Sequence, residues 1–365
     1  MRFPEFTEEW ETKPINDLAV VIGGGTPDTT VKSYWDGEIQ WFTPSEIGKT
    51  KYVDSSLRTI TEDGLNNSSA KRLPPNTILL SSRATIGECS LSLRECATNQ
   101  GFQSLVSKKC NVDFLYYLIQ TKKNDLIRKS CGSTFLEISA NEVRKIQVSI
   151  PSDVEQQKIA GLLSLIDERI ATQNKIIDKL QSLIKGLRNE IFWKLRKNVG
   201  FNAMIGDVLD YEQPQSYIVE DTEYIDKGTP VLTANKAFIL GYTSETEGIY
   251  DKGDCIIFDD FTLDSKYVDF PFKVKSSAIK ILSAENKELL RYTFEFLKYL
   301  DLSTSEHKRH YIAETQNQEF ILPTTQIVRT IAHTFSILSL RMETAIKQRL
   351  LFEKQKQYLL RQMFI

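Results

Sequence analysis

The sequence has few of the residues that build metal centres and disulfide frameworks. Its 365 residues include only 3 histidines and 5 cysteines, and the cysteines are scattered without a Cys-x-x-Cys pair. An odd number of unpaired cysteines is typical of reduced thiols in a cytosolic compartment. We therefore expect neither a disulfide scaffold nor a cysteine- or histidine-based metal site.

Long hydrophobic runs, proline and glycine are also scarce. No stretch approaches the roughly 18 uncharged apolar residues of a membrane span, and the first residues carry carboxylates where a signal peptide is apolar. With 11 prolines and 17 glycines, the composition does not fit a collagenous or low-complexity chain. These absences predict a folded cytoplasmic protein without a signal peptide or a membrane span.

Motifs of common enzyme classes are absent or incomplete. Gly48-Lys49-Thr50 resembles the end of a phosphate-binding loop, but Thr43 stands where the first glycine is required. Gly23-Gly24-Gly25 is followed by Pro27 and predicts a tight turn. His-Glu-x-x-His, Gly-x-Ser-x-Gly and the Asn/Asp-Pro-Pro-aromatic motif of amino methyltransferases are missing.

One acidic pair leaves an enzymatic interpretation open. Asp259 and Asp260 follow a predicted buried strand and could hold Mg²⁺ for phosphodiester cleavage, with Lys266 nearby. The alternatives are a loop that contacts a partner or a base edge, and a solvated turn. The parallel position in the first half of the chain carries Ser81-Ser82. A duplicated metal site without a carboxylate in one copy is therefore disfavoured.

Charge alternates along the chain although the net charge is only −2. Residues 1–153 hold 18 basic and 19 acidic side chains, and residues 154–199 hold 9 and 5. Residues 200–325 hold 12 and 22, and residues 326–365 hold 7 and 2. The alternation indicates a repeated plan.

The two basic segments carry a helical pattern. Pro151 and Pro323 introduce them, and apolar residues then recur at alternating spacings of three and four, which forms a heptad seam. The first seam contains Leu163, Ile166, Ile170, Gln173, Ile177, Leu180, Ile184, Leu187 and Ile191. The second contains Phe335, Leu338, Met342, Ala345, Arg349, Phe352, Lys356, Leu359 and Met363. Arg349 and Lys356 make the second seam the poorer one.

The repeat continues more faintly through the globular parts. Residues 76–80 run into the polar loop 81–85, and residues 254–258 run into 259–262, so each half predicts a buried strand before a loop. Helical stretches follow at 112–121 and 287–300. The globular parts are therefore predicted to be α+β.

Chain order then predicts the architecture. Two similar globular domains, residues 1–153 and 200–325, are joined by two long antiparallel helices, residues 154–199 and 326–365, which form a coiled coil about a pseudo-two-fold axis. The first seam spans about 43 Å at ~1.5 Å per residue.

Polar and basic residues in the predicted loops suit DNA, which requires cations for its phosphates and side chains that read base edges. Candidates in the first domain are Lys71, Arg72, Ser81, Ser82, Arg83, Thr85, Gln100, Gln103, Lys129 and Ser133. Candidates in the second are Thr233, Asn235, Lys236, Asp260, Thr262, Lys266, His307, Lys308, Arg309 and His310. The acidic excess of the second domain requires its acids to lie away from the duplex.

Four groups of residues form motifs whose order along the chain is distinctive. They are Arg2-Phe3-Pro4-Glu5-Phe6 with Glu9-Trp10; Gly24-Gly25-Thr26-Pro27 with Trp35 and residues 37–41; Ile150-Pro151 with residues 155–160; and Phe258-Asp259-Asp260 with residues 266–273. Together they resemble the DNA specificity subunits of type I restriction-modification systems. The Pro-x-x-x-Glu-Gln-x-x-Ile motif at 151–159 is the sharpest signal, and the second copy departs from it at Ile327-Val328.

The resemblance implies that each domain is a target-recognition domain for one half of a bipartite, asymmetric DNA sequence. The helix pair would set the spacer and, through its seam residues, dock two modification (methyltransferase) subunits, while restriction (translocase and endonuclease) subunits add cleavage. S-adenosylmethionine, ATP and Mg²⁺ are then expected in the partner subunits. This chain itself would be a non-catalytic prokaryotic defence protein in the cytoplasm, without a cofactor or metal of its own.

Two other interpretations remain open on the residues alone. The first is a divalent-metal nuclease that uses Asp259 and Asp260. The second is a coiled-coil assembly protein that does not read bases.

Overall fold

The computed structural model describes residues 2–132, 136–233, 238–302 and 309–364. These residues form a mixed α/β protein that divides into two compact units. Unit 1 comprises residues 1–174 and 348–365, and unit 2 comprises residues 175–347. No helix in the described ranges has the length and apolar character needed to cross a membrane.

Unit 1 contains three sheets. Its strands are β1 (Glu11–Pro14), β2 (Ala19–Gly23), β3 (Trp35–Phe42), β4 (Tyr52–Val53), β5 (Arg58–Ile60), β6 (Ile78–Leu80), β7 (Cys89–Ser92), β8 (Cys96–Thr98), β9 (Gln103–Ser107) and β10 (Gln147–Ile150). The largest sheet has the order β2-β9-β6-β7-β4, a second has the order β5-β3-β8, and β1 pairs antiparallel with β10.

Unit 2 also contains three sheets. Its strands are β11 (Ala203–Met204), β12 (Asp210–Glu212), β13 (Thr229–Leu232), β14 (Ile239–Thr243), β15 (Cys255–Asp259), β16 (Ser265–Val268), β17 (Lys273–Val274), β18 (Ile279–Ser283) and β19 (Glu319–Phe320). The sheet orders are β12-β18-β15-β16, β14-β13-β17 and β11-β19. The predicted buried strand before Asp260 is confirmed, because every residue of β15 is buried.

The helices are α1 (Ile15–Leu18), α2 (Glu62–Asn66), α3 (Val112–Thr121), α4 (Lys123–Arg128), α5 (Ala140–Lys145), α6 (Asp153–Asn198), α7 (Lys287–Leu300) and α8 (Thr325–Met363). The helices predicted at 112–121 and 287–300 are confirmed by α3 and α7. Both begin at an asparagine cap: the side-chain oxygen of Asn111 accepts from the amide of Phe114, and that of Asn286 from the amide of Leu289.

The two long helices each contribute to both units. In unit 1 the first part of α6 packs with the last part of α8 in one hydrophobic core, which includes Leu163, Ile166, Leu359 and Met363. In unit 2 the last part of α6 packs with the first part of α8, with Ile184, Phe192, Ile331 and Phe335 in the core. All predicted seam positions on both helices are buried or half-buried.

Candidate nucleic-acid interface

Three loops of unit 1 meet at one edge of its largest sheet. Gly23, at the end of β2, pairs with Gln103 at the start of β9, and Ser81, after β6, forms a bridge with Phe102. The amide of Ser82 donates to the carbonyl of Gly101 at 2.8 Å. We call this edge 1, formed by residues 23–27, 81–85 and 99–103.

The 81–85 loop is shaped by its own polar side chains. Ser81 and Ser82 are fully buried, and the Ser81 hydroxyl donates to the Arg83 carbonyl at 2.8 Å. The hydroxyl of exposed Thr85 donates to Ser81 Oγ at 3.2 Å, and Arg83 forms an ion pair with Glu137 at 2.8 Å. Ser81 and Ser82 were predicted to contact DNA, and in the structure both are buried, with the Ser81 hydroxyl supporting the loop.

The glycine turn of edge 1 packs tightly on the neighbouring loop. A Cβ atom on Gly24 would lie 2.0 Å from the carbonyl oxygen of Asn99, so no side chain fits at this position. This close approach brings the turn beside Gln100, whose exposed side chain accepts a hydrogen bond from Thr26 Oγ1. The side-chain oxygen of Gln103 is buried and has no hydrogen-bond partner.

The remaining candidates of unit 1 are basic. Lys71 and Arg72 are exposed, and Arg72 pairs with Glu62 and Glu95. Lys129 lies 3.9 Å from a carboxylate oxygen of Glu142. Ser133 lies outside the described residues.

In unit 2 the acidic pair after β15 organises the backbone around it. Asp259 Oδ1 accepts from the amides of Phe261 and Thr262 at 2.8 and 3.1 Å. Asp260 Oδ1 accepts from the amides of His310 and Tyr311 at 3.0 and 2.8 Å. Both carboxylates are at least nine-tenths buried. Asp260, which was predicted to contact DNA, is therefore buried here and holds residues 310–311 against the end of β15.

A buried lysine completes the surroundings of Asp260. Lys280 Nζ lies 3.7 Å from Asp260 Oδ2 and donates to Gln213 Oε1 at 2.8 Å. Burial lowers the pKa of Lys280, while the charge of Asp260 opposes this effect. Within the described parts of the chain, no group of three or more His, Cys, Asp or Glu side chains could hold a metal ion.

Other predicted contacts of unit 2 differ in exposure. Thr262 and Arg309 are exposed, and half-buried Lys266 lies 3.2 Å from Asp264. Thr233 and His310 are buried, and His310 Nδ1 lies 2.9 Å from Glu314 Oε2. We call residues 259–266 with 309–311 edge 2. Asn235, Lys236, His307 and Lys308 lie outside the described residues.

The long helices also carry exposed apolar side chains that lie outside the heptad seams. Leu165, Leu351 and Tyr358 in unit 1, and Leu183, Trp193 and Leu340 in unit 2, are each more than half exposed. Contiguous patches of such side chains mark interaction surfaces, whereas single ones are common on any protein surface. The seam residues predicted to dock other subunits are turned inward within each unit. The sequence signal for these outward-facing residues is apolar side chains that fall outside the heptad seam.

The Glu155-Gln156 motif ties other segments to the start of α6. Glu155 has no exposed surface and pairs with Arg2 at 2.7 Å. Gln156 Oε1 accepts from the amide of Asn111 at 3.0 Å, and its Nε2 donates to the Pro151 carbonyl at 3.0 Å. The motif therefore has a structural role.

Comparison with known proteins assigns the chain to a family. Residues 7–182 match the model of the type I restriction modification DNA specificity domain. The chain is 31% identical over 324 residues to the type I restriction enzyme MjaIX specificity subunit of Methanocaldococcus jannaschii, covering 84% of this chain and 75% of that protein. It is 46% identical over 126 residues to the EcoR124I/EcoR124II specificity subunit of Escherichia coli, covering 33% of this chain and 31% of that protein. The chain belongs to the family of type I restriction enzyme specificity subunits.

Solved structures show a related fold. The crystal structure of a type I restriction-modification S subunit from M. genitalium superimposes with a TM-score of 0.67 at 16% identity, covering 100% of this chain and 99% of that one. A chain from a structure of type I R-M complex assembly and conformational transition gives a TM-score of 0.54 at 14% identity, covering 98% and 97%.

Proposed function

We propose that this chain is the non-catalytic DNA specificity subunit of a type I restriction-modification complex. Each unit supplies one target-recognition domain, and each domain reads one half of a bipartite, asymmetric sequence. Family membership is the observation that carries the proposal. The presence of one polar loop edge in each unit supports the division into two half-sites.

In unit 1 the exposed and half-buried side chains of edge 1 read the bases. Gln100, Thr26 and Thr85 stand on loops that are tied to the sheet by backbone hydrogen bonds, so little side-chain and loop freedom is lost on binding. Glutamine suits an adenine edge, and Arg83 can exchange Glu137 for a guanine or a phosphate. Lys71 is exposed and follows Ala70, whose amide packs against Gly25 of edge 1. Lys71 neutralises phosphate.

In unit 2 the contacts come from edge 2. Arg309 and Thr262 are exposed, and Lys266, four residues after Thr262, is the second residue of β16. Several acids of this unit pair with lysines, as Glu212 does with Lys252 at 2.8 Å. Such pairs reduce the repulsion of the acidic excess toward phosphates.

The finer architecture is part of the proposal: two similar domains related by a pseudo-two-fold axis, and an antiparallel coiled coil that sets the number of unread bases. In each unit a two-stranded sheet joins the first strand to the last one before a long helix, β1 with β10 and β11 with β19. In unit 1, Asp167 pairs with Lys356 and Arg169 lies over the ring of Phe352, so α6 and α8 run in opposite directions there.

The outward-facing apolar residues of α6 and α8 dock two modification subunits in this proposal. Those subunits bring S-adenosylmethionine, and restriction subunits bring ATP- and Mg²⁺-dependent cleavage. No cofactor is assigned to this chain. The relative from a type I complex assembly study supports partners of this kind.

Single-residue variants test the assignment of the edges. Gln100→Ala should weaken readout in one half-site and Arg309→Ala in the other, measured by competition between duplexes that differ in one half. Gln147→Ala, at the exposed first position of β10, is the control and should change neither half. Equal losses in both halves would contradict independent domains.

Mg²⁺-dependent cutting by the purified chain, abolished by Asp260→Asn, would instead favour the nuclease.

A further inference from the structure

In unit 1 one carboxylate joins three elements. Asp167, on α6, lies 2.8 Å from the ammonium group of Lys356 on α8. Its other oxygen accepts a 2.6 Å hydrogen bond from the hydroxyl of Tyr117 on α3. The side chains of Asp167 and Lys356 are only 17% and 15% exposed. The carboxylate thus holds the helix of the globular domain against both long helices.

A second cation, Lys51, completes this network. We call it polar network 1, and it consists of Lys51, Asp113, Tyr117, Ser164, Asp167 and Lys356. Lys51, at 6% exposure, pairs with Asp113 at 2.6 Å and donates to Ser164 Oγ on α6 at 2.7 Å. The ring of Tyr117 lies 4.9 Å from the Lys51 ammonium group and 5.5 Å from that of Lys356. Burial raises the pKa of Tyr117, and the charge of Asp167 raises it further, so the phenol remains a neutral donor.

In unit 2 the corresponding contacts use different chemistry. Glu295, on α7, is 1% exposed and accepts two hydrogen bonds from the Arg188 guanidinium of α6, at 2.9 and 2.7 Å. Its other oxygen accepts from Arg291 at 2.8 Å. Arg291 also donates to the Phe335 carbonyl on α8 at 3.2 Å and to Ser339 Oγ. We call these residues polar network 2 (Arg188, Arg291, Glu295, Phe335 and Ser339).

A buried ion pair adds little net stability compared with well-packed apolar residues, but removing one partner leaves an unpaired buried charge and is strongly unfavourable. Its contribution is directional, because hydrogen bonds and charge pairs define one relative placement of the groups they join. The two polar networks join α3 and α7 to the long helices, and α3 and α7 pack on the sheets that carry edge 1 and edge 2. Helix α3 contacts β7, and α7 contacts β15, which leads into edge 2.

We propose that Asp167 and Glu295 are positioning residues that set the placement of edge 1 and edge 2, each for its own half-site. This inference rests on the proposed function and adds the groups that orient each recognition surface on the long helices. The carboxylate is on the long helix in unit 1 and on the domain helix in unit 2. The two half-sites therefore depend on separate residues.

The test is selection from a random duplex library with the complex purified from its host, using Asp167→Asn and Glu295→Gln. Asp167→Asn should reduce enrichment of one half-site by about tenfold or more, or broaden the gap length, and leave the other half intact. Glu295→Gln should do the same to the opposite half. The controls Glu168→Gln and Glu288→Gln alter exposed acids on the same helices and should leave the motif unchanged.

A paired variant separates positioning from general destabilisation. Asp167→Asn combined with Lys356→Met removes the unpaired ammonium group and should restore part of the lost enrichment. Equal loss in both halves, or no rescue, would overturn the inference.

Amide hydrogen exchange gives a readout that does not depend on DNA. Asp167→Asn should raise exchange in α3 and leave α7 unchanged, and Glu295→Gln should do the reverse. A wild-type complex that enriches no sequence contradicts the proposed function. In that case the exchange data still show whether the two polar networks hold α3 and α7 in place. A bipartite wild-type motif that neither variant alters, with unchanged exchange, contradicts the positioning role alone.

Discussion

The guanidinium group of Arg2 donates two hydrogen bonds, both 2.7 Å long, to the carboxylate of Glu155, which has no exposed surface. This pair holds the N-terminal segment on the first turn of α6. Lys158, one turn further, lies 4.6 Å from the ring of Phe3. In the second copy of the motif, Val328 stands in place of Gln156 and is packed in the core of unit 2.

Loss of the ion pair between Arg2 and Glu155 should destabilise unit 1. Glu155→Gln removes the charge that pairs with Arg2, and we expect a lower urea midpoint for the unfolding of unit 1. Glu5→Gln is the matched control, because Glu5 pairs with exposed Lys158. Equal midpoints for the two variants would contradict a structural role for the motif.

Truncation should destabilise the protein at buried seam positions of α6 and have little effect at exposed positions outside the seam. Leu163 is fully buried, whereas Leu165, two residues on, is 58% exposed. Leu163→Ala should cost about 2–5 kcal/mol of unfolding free energy through the cavity it leaves. Leu165→Ala should cost less than about 0.5 kcal/mol. Urea unfolding measures both, and similar costs would show that the seam is assigned to the wrong face.

Trp193 should contribute to the docking of a modification subunit. Its side chain is 59% exposed on α6, and buried tryptophans dominate the energy of many protein interfaces. Trp193→Ala should weaken binding of the co-purifying methyltransferase about tenfold or more without lowering the melting temperature of the free chain. Lys185→Ala, at an exposed position of the same helix, is the control. Unchanged affinity for the Trp193 variant would place the docking surface elsewhere.

Alkylation should single out one thiol. Cys131 is exposed, while the other four cysteines are buried. Burial raises the pKa of Cys89, Cys96, Cys110 and Cys255 to about 12. Since the thiolate is the reactive form, iodoacetamide at about pH 8 should add a single label to the native chain and none to Cys131→Ser. Mass spectrometry counts the labels, and multiple native labels would contradict the buried positions.

The loop at Glu245 should respond to acid. The amide of Asp221 donates to Glu245 at 3.0 Å, and Lys273 lies 2.6 Å from its other oxygen. These contacts, the amide first, lower the pKa of Glu245 below its usual 4.5. A depressed folded-state pKa stabilises the fold at neutral pH, and this contribution is lost as pH falls from about 4.5 through the folded-state value. Glu245→Gln should therefore melt earlier than wild type at pH 7, with a difference that shrinks below about pH 4. A constant difference would exclude the charge as its cause.

Periodic features were predictable from the sequence because they depend on neighbours along the chain. The seam positions of α6 and the buried strand β15 followed from apolar spacing alone. The exposure of loop residues was not predictable in this way. Ser81 and Asp260 are polar residues in loops, yet both are buried because backbone groups form hydrogen bonds with them. The partner of Ser81 is the Arg83 carbonyl in the same loop, and the partner of Asp260 is the Tyr311 amide, 51 residues along the chain.

The poorer second seam illustrates the same limit. Lys356 stands at a seam position where an apolar residue is usual. In the structure it pairs with Asp167, which lies on a helix 189 residues earlier in the chain. A partner that only tertiary packing supplies cannot be inferred from the local heptad pattern.

The most direct test of bipartite recognition is selection from a random duplex library with the protein and whatever co-purifies with it from its native host. Bipartite recognition should give one asymmetric motif with two short read segments of different sequence and a gap of fixed length between them. A single contiguous motif would contradict the two-domain readout. No enrichment, despite a co-purifying methyltransferase, would contradict DNA recognition itself and favour assembly without base readout.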